Sequence, residues 1–150
     1  MKFAGLAMVF SLLVVAALTQ DLRHVDSLTY ALSYSKDDTS KVNILLQLSN
    51  GYISSSQEQA IRFGSQARDL AQKLNFKSGK AFALKNIGMV YYNQAKYLET
   101  IEYWNQSCLL FDSLGDKANK ALLLNNIGSV YMNQGDVPKA LDYYFRSNNF

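Results

Sequence analysis

Residues 81–108, AFALKNIGMVYYNQAKYLETIEYWNQSC, return forty positions later without a gap as residues 121–148, ALLLNNIGSVYMNQGDVPKALDYYFRSN. Eleven of the 28 positions are identical, where about two would be expected of unrelated segments of ordinary composition. Self-similarity at a period of about 20–50 residues marks a stacked array, in which each unit buries its apolar face against its neighbour. Such arrays mostly bind other chains. The repeat therefore points to an interaction surface and leaves its partner unnamed.

Inside each copy the apolar residues fall at helical spacing. Leu124, Ile127, Val130 and Tyr131 recur every three or four positions, one face of an α-helix. Asn133–Asp136 (NQGD) breaks the pattern, with Gly135 suited to a positive-φ C-terminal cap and Asp136 to the next N-cap. Pro138 falls in the first turn of a second helix, where a missing N–H costs nothing. Ala140, Leu141, Tyr144 and Ser147 form the inner face of that helix. The earlier copy repeats the plan with Leu84, Ile87, Val90 and Tyr91, a break at Asn93–Lys96, then Thr100, Ile101, Trp104 and Ser107. Two helices joined by a tight turn make an αα-hairpin. Gly88 and Gly128 stand mid-helix at one phase, where glycine costs roughly 0.5–1 kcal/mol relative to alanine. That cost, accepted twice, predicts a close approach of the paired helix.

These residues resemble the tetratricopeptide repeat (TPR). Its motif places a large apolar residue, then Leu-Gly, a Tyr, a turn with Gly, and later Ala, an aromatic and a small residue. Leu124, Ile127, Gly128, Tyr131, Gly135, Ala140, Tyr144 and Ser147 match it, as do Leu84, Ile87, Gly88, Tyr91, Trp104 and Ser107. Ala95 replaces the turn glycine and Thr100 the small alanine. The usual repeat has 34 residues. The forty-residue period resembles a subtype with helices lengthened through segments such as SLGDKANKA, residues 113–121.

Forty residues before Ala81 lies a weaker unit. KVNILLQLSNGYI (41–53) supplies Ile44, Leu45, Leu48 and Tyr52, and QAIRFGSQARDLAQKL (59–74) supplies Ala60, Ile61, Phe63, Ala67 and Leu70. An ungapped alignment places Leu48 where Gly88 and Gly128 stand. The resemblance implies an all-α repeat solenoid, a right-handed superhelix. It would hold a divergent repeat at 41–80, a repeat at 81–120, a truncated one at 121–150, and an N-terminal helix and linker at 20–40. In that linker Leu22, Val25, Leu28, Ala31 and Leu32 suit one amphipathic helix over Leu22–Ser35, and Thr39 or Ser40 can cap the next.

Residues 1–19 are expected to be a signal peptide, with Lys2 before the charge-free run Phe3–Leu18 and cleavage after Thr19. The expected location is therefore exported, periplasmic or secreted. An uncleaved anchor is the rival, disfavoured because 16 apolar residues fall short of the ~20 that span a bilayer. The last unit stops at Phe150 with no capping helix. Either the chain is a fragment, which is the favoured expectation, or another chain covers that end. Self-association there is a third class of function. Tyr144, Phe145 and Phe150 are expected to be partly exposed.

The composition excludes several classes. The formal net charge is +3, or +2 without Lys2, and the positive residues are scattered rather than gathered in a basic stripe. Nucleic acid is not an expected partner. One cysteine, Cys108, allows no internal disulfide and suits a small buried apolar position beside Trp104 and Phe111. One histidine, His24, is too few for a His-based metal site or a Ser/His pair. No phosphate-binding glycine loop is present. Neither an enzyme nor a cofactor is expected.

Protein or peptide is the partner class that the resemblance implies, held in a concave groove lined by the first helices of successive units. Carrying the family's groove positions over gives Phe82, Lys85, Asn86, Met89, Tyr92 and Asn93, then Leu122, Asn125, Asn126, Ser129, Met132 and Asn133. Asn86 recurs as Asn126 and Asn93 as Asn133. An amide both donates and accepts, so such a ladder can hold an extended backbone. Lys85 matches one position of the family's C-terminal carboxylate clamp, but Met89 stands where its Asn would be, which argues against a clamp. The alternative function is the N-terminal sensory region of a longer bacterial signalling protein, whether sensor kinase, nucleotide cyclase or transcriptional regulator.

Overall fold

The computed structural model describes residues 24–148. These form α1 (24–34), α2 (Thr39–Tyr52), α3 (Gln57–Lys73), α4 (Lys77–Asn93), α5 (Tyr97–Ser113), α6 (Lys117–Asn133) and α7 (Val137–Asn148). The expected signal segment with its cleavage site, Leu22 at the start of the linker helix, and Phe150 lie outside the described residues. Among those described, no helix is long and apolar enough to cross a membrane.

From α3 onward, helices begin at 57, 77, 97, 117 and 137, a step of twenty residues. The forty-residue repeat is thus two equal steps, each a helix of 17 residues and a three-residue turn. Asn75, Ala95, Gly115 and Gly135 occupy the same place in the four turns with φ of 54°, 56°, 69° and 79°. Each turn closes with the same pair of backbone bonds. Gly115 N–H donates to the Asp112 carbonyl at 3.0 Å and Asp116 N–H to the Phe111 carbonyl at 2.9 Å, with counterparts at 75/76, 95/96 and 135/136. This is the Schellman ending, which satisfies carbonyls that the helix leaves open. The turn between units is therefore built like the turn within a unit. Ser113–Ala121 contains such a turn, and the extra length over a 34-residue repeat lies in the helices themselves. The boundaries at 41, 81 and 121 fall inside first helices, which begin at Thr39, Lys77 and Lys117.

Consecutive helices pack against each other, and α2 also meets α4, the next first helix. The core sits between helix layers as two clusters, one around Val42, Leu45, Leu48 and Phe63, the other around Trp104, Phe111, Leu124 and Ile127. Both mid-helix glycines are close-approach points, as expected. A Cβ on Gly88 would fall 2.6 Å from Trp104 Nε1, and one on Gly128 2.7 Å from Tyr144 Cε1.

The first unit corrects the ungapped alignment. Tyr91 stacks on Tyr103 and Tyr131 on Tyr143, and the equivalent pair is Tyr52 on Phe63. Tyr52 lies 39 residues before Tyr91, and Phe63 lies 40 before Tyr103. One residue fewer separates the paired helices of this unit, so the phase of α2 shifts by one. Ser49, not Leu48, is therefore the small residue equivalent to Gly88. It is fully buried, its hydroxyl donates to the Ala60 carbonyl at 2.9 Å, and a Cβ on Gly64 would lie 3.0 Å from its Oγ.

At the N-terminal end, half-buried Val25, Leu28 and Leu32 of α1 pack on the first cluster, while Ala31 faces out. The cap of α2 is Asp38 rather than Thr39 or Ser40. Its backbone is extended (φ −138°, ψ −178°) and its carboxylate accepts from Lys41 N–H at 3.0 Å. Asp136 caps α7 as expected, accepting from Lys139 N–H at 3.2 Å.

Leu141 departs from the inner face assigned to it and is exposed, as are Leu122, Met132, Val137 and Phe145. Forty residues earlier, Phe82, Tyr92, Tyr97 and Ile101, the counterparts of Leu122, Met132, Val137 and Leu141, are half-buried against the second cluster, while Phe145 corresponds to the polar Asn105. The difference is that no described helix follows α7 to cover the corresponding positions. Tyr144 is only half-exposed because its ring closes on Gly128.

Candidate partner-binding groove

The first helices α2, α4 and α6 expose the residues just beside their buried stripes. Asn43, Leu46, Gln47 and Asn50 of α2 face Phe82, Lys85 and Asn86 of α4 across a concavity of about 500 Å³. A second concavity, about 220 Å³, is lined by Met89, Tyr92, Trp104, Asn126 and Ser129. Seven of the twelve sequence-derived positions thus line these two hollows. Of the others, Asn133 reaches back to the Tyr92 hydroxyl at 3.5 Å. Asn93, Leu122, Asn125 and Met132 are exposed and line neither hollow.

The α2 wall was not among the sequence-derived positions. A 39-residue offset makes its residues the counterparts of the α4 set: Asn43 of Phe82, Leu46 of Lys85, Gln47 of Asn86 and Asn50 of Met89. Gln47, Asn86 and Asn126 thereby form a row of amides at one phase on three neighbouring helices. The row is not uniform. Asn86 is buried, 8% exposed, and its Nδ2 donates to the Leu46 carbonyl at 3.2 Å, which ties α4 to α2. Asn126 is half-buried and makes no hydrogen bond among the described residues.

Aromatic rings form the apolar floor. Phe82 meets Phe111 edge-on with centroids 5.0 Å apart, and Tyr92 stacks on Trp104 at 5.7 Å. Trp104 satisfies its own N–H on the Lys85 carbonyl at 3.1 Å, so the ring is pinned between core and groove. Lys85 Nζ lies 4.8 Å above the Phe82 ring. Burial holds this ammonium below the usual lysine range, against a smaller upward pull from Asp116.

Elsewhere, Cys108 is buried with its Sγ 3.7 Å from the Lys120 carbonyl. Burial pushes its thiol up to about 11, which keeps the nucleophilic thiolate scarce at neutral pH. No group of His, Cys, Asp and Glu among the described residues could hold a metal ion.

No protein-family model matches the sequence, and no curated protein matches it. Solved structures do resemble the fold. The TPR domain of Arabidopsis FLU superposes with a TM-score of 0.67 at 21% identity, over 73% of this chain and 92% of that one. BtubC (BKLC) from P. vanneervenii superposes with a TM-score of 0.69, also at 21% identity, over 81% of this chain and 50% of that one. With its twenty-residue helix steps and the small-to-aromatic contacts Gly88–Trp104 and Gly128–Tyr144 inside its second and third hairpins, the chain has the tetratricopeptide-repeat fold.

Proposed function

We propose that the groove across α2, α4 and α6 binds an extended segment of another protein, and that the chain acts by holding that segment rather than by chemistry on it. The observation that carries this reading is the row Gln47, Asn86 and Asn126 beside two hollows floored by aromatic rings. An amide can pair with both the N–H and the C=O of an extended backbone, whatever its side chains. Met89 adds a flexible apolar contact that fits varied shapes. The leader-like residues 1–19 support an exported site of action.

A selection of displayed twelve-residue peptides on the whole chain tests the reading. Selected peptides are expected to lose affinity for the double variant Gln47→Ala with Asn126→Ala, whose side chains lie at the groove surface and whose fold should survive. Unchanged binding to that variant would sink the groove as the site.

A further inference from the structure

Position 108 is where the second unit departs from the first. Forty residues before Cys108 stands Arg68, whose Nε donates to the Asp69 carboxylate at 2.8 Å. That bond chiefly, and the Tyr103 hydroxyl of α5 to a smaller degree, strengthen its hold on the proton, which places the arginine across the gap between the second helices α3 and α5. Between α5 and α7 the short Cys108 leaves that place open. A hollow of about 270 Å³ lies there, walled by Asn105, Cys108 and Leu109 of α5, Leu124 of α6 and Arg146 of α7. Asp112 and Lys120 complete its lining and pair with each other at 2.6 Å. None of these residues lines either hollow of the groove.

The lining combines an apolar part with a polar one. Cys108, Leu109 and Leu124 supply the first, and Leu109 is 71% exposed. Arg146 supplies a cation whose acid, Asp142 at 3.5 Å on the same helix, is itself 63% exposed. An exposed pair of that kind is weak. The Asn105 amide makes no hydrogen bond among the described residues. Forty residues earlier, the counterparts of Asn105, Asp112 and Arg146 are the neutral Ser65, Gln72 and Gln106. In the first gap a cation fills the space between neutral positions. In the second the cation stands in the wall and the space is open, which suits an anion.

We propose that this hollow binds a small aliphatic carboxylic acid, its carboxylate on Arg146 and Asn105 and its chain on Leu109, Leu124 and Cys108. The carboxylate accepts charge-assisted bonds from the guanidinium and a further bond from the amide. The chain covers Leu109 and removes apolar surface from water. The volume falls just under the range of ligand clefts, about 300–1,000 Å³, and so fits a small molecule rather than a run of protein chain.

Titration of the whole chain with hexanoate, followed residue by residue in amide nitrogen–proton NMR spectra, tests this. Saturable shifts are expected at Asn105–Asp112 and Arg146, half complete below about 10 mM. Hexanamide, which lacks the charge, and acetate, which lacks the chain, should each bind about tenfold more weakly. Arg146→Gln, which installs the residue of the first gap, should weaken hexanoate by about tenfold. Cys108→Arg should abolish its binding by filling the hollow. No saturable shift up to about 10 mM, shifts confined to other residues, or equal affinity for hexanoate and hexanamide overturns the inference. The three probes are compared on the natural chain, so they decide the matter even if Cys108→Arg folds poorly.

Discussion

Trp104 and Gly88 occupy one space: the indole lies where a Cβ on Gly88 would be, with Nε1 2.6 Å from that point, and its N–H donates to the Lys85 carbonyl at 3.1 Å. Trp104 is 2% exposed, so the ring has nowhere to retreat. Gly88→Ala therefore sets a helix-propensity gain of about 1 kcal/mol against overpacking of roughly 1–3 kcal/mol. Net destabilisation is expected, with a change in the emission of the single tryptophan. Gly128→Ala should cost less, because half-exposed Tyr144 can swing outward. Thermal melts of the two variants check this, and a Gly88→Ala chain as stable as its parent would contradict it.

The four equivalent turns carry Asn75, Ala95, Gly115 and Gly135 at positive φ. Only Ala95 combines that conformation with an ordinary side chain, which costs roughly 1 kcal/mol. Ala95→Gly is expected to stabilise by about that amount, less the greater freedom that glycine gives the unfolded chain. Gly115→Ala and Gly135→Ala should do the reverse. No atom lies within 4 Å of a Cβ built on either glycine, so any loss reports backbone strain alone. The sign of the Ala95→Gly effect in a urea melt is the decisive reading.

Legibility followed locality. Gly88, Gly128, Gly135 and Asp136 act through neighbours a few residues away or through a phase that recurs after forty residues, so pattern reading found them. The first unit was misphased because one missing residue between Tyr52 and Gln57 rotates α2 by one position. Leu48 against Ser49 is decided only where Gly64 and Phe63 arrive from α3. The α2 wall of the groove was lost with that phase.

Acid should weaken the helix starts. Asp116 is held below its ordinary value of 3.8 chiefly by the backbone N–H of Asn119, and Asp136 by the side chain and then the backbone of Lys139. A carboxylate lowered in the folded chain stabilises it in full above the unfolded value, and that contribution fades as pH falls through the folded value. Melting temperature should therefore fall below about pH 4, and less steeply in Asp116→Asn with Asp136→Asn, since asparagine still caps but does not titrate. Identical acid limbs for parent and double variant would show that these caps do not contribute to the fall.

Asn86 and Asn126 share a phase forty residues apart but differ in what surrounds them. Asn86 is buried and ties α4 to the Leu46 carbonyl of α2 at 3.2 Å. Truncating it to alanine removes that part-buried bond between the two helices, a loss of about 1 kcal/mol. Asn126 is half-buried at the lip of the second hollow with no hydrogen bond among the described residues, so Asn126→Ala should stay within about 0.5 kcal/mol. Binding should divide the other way: Asn126→Ala would weaken a selected peptide through lost contact alone, at unchanged stability. Asn86→Ala would weaken it partly by loosening α2 from α4, which lowers the melting temperature as well. Measuring stability and peptide affinity on both variants separates the two roles. Equal stability losses would mean that the two amides are interchangeable and that the tie to Leu46 contributes little.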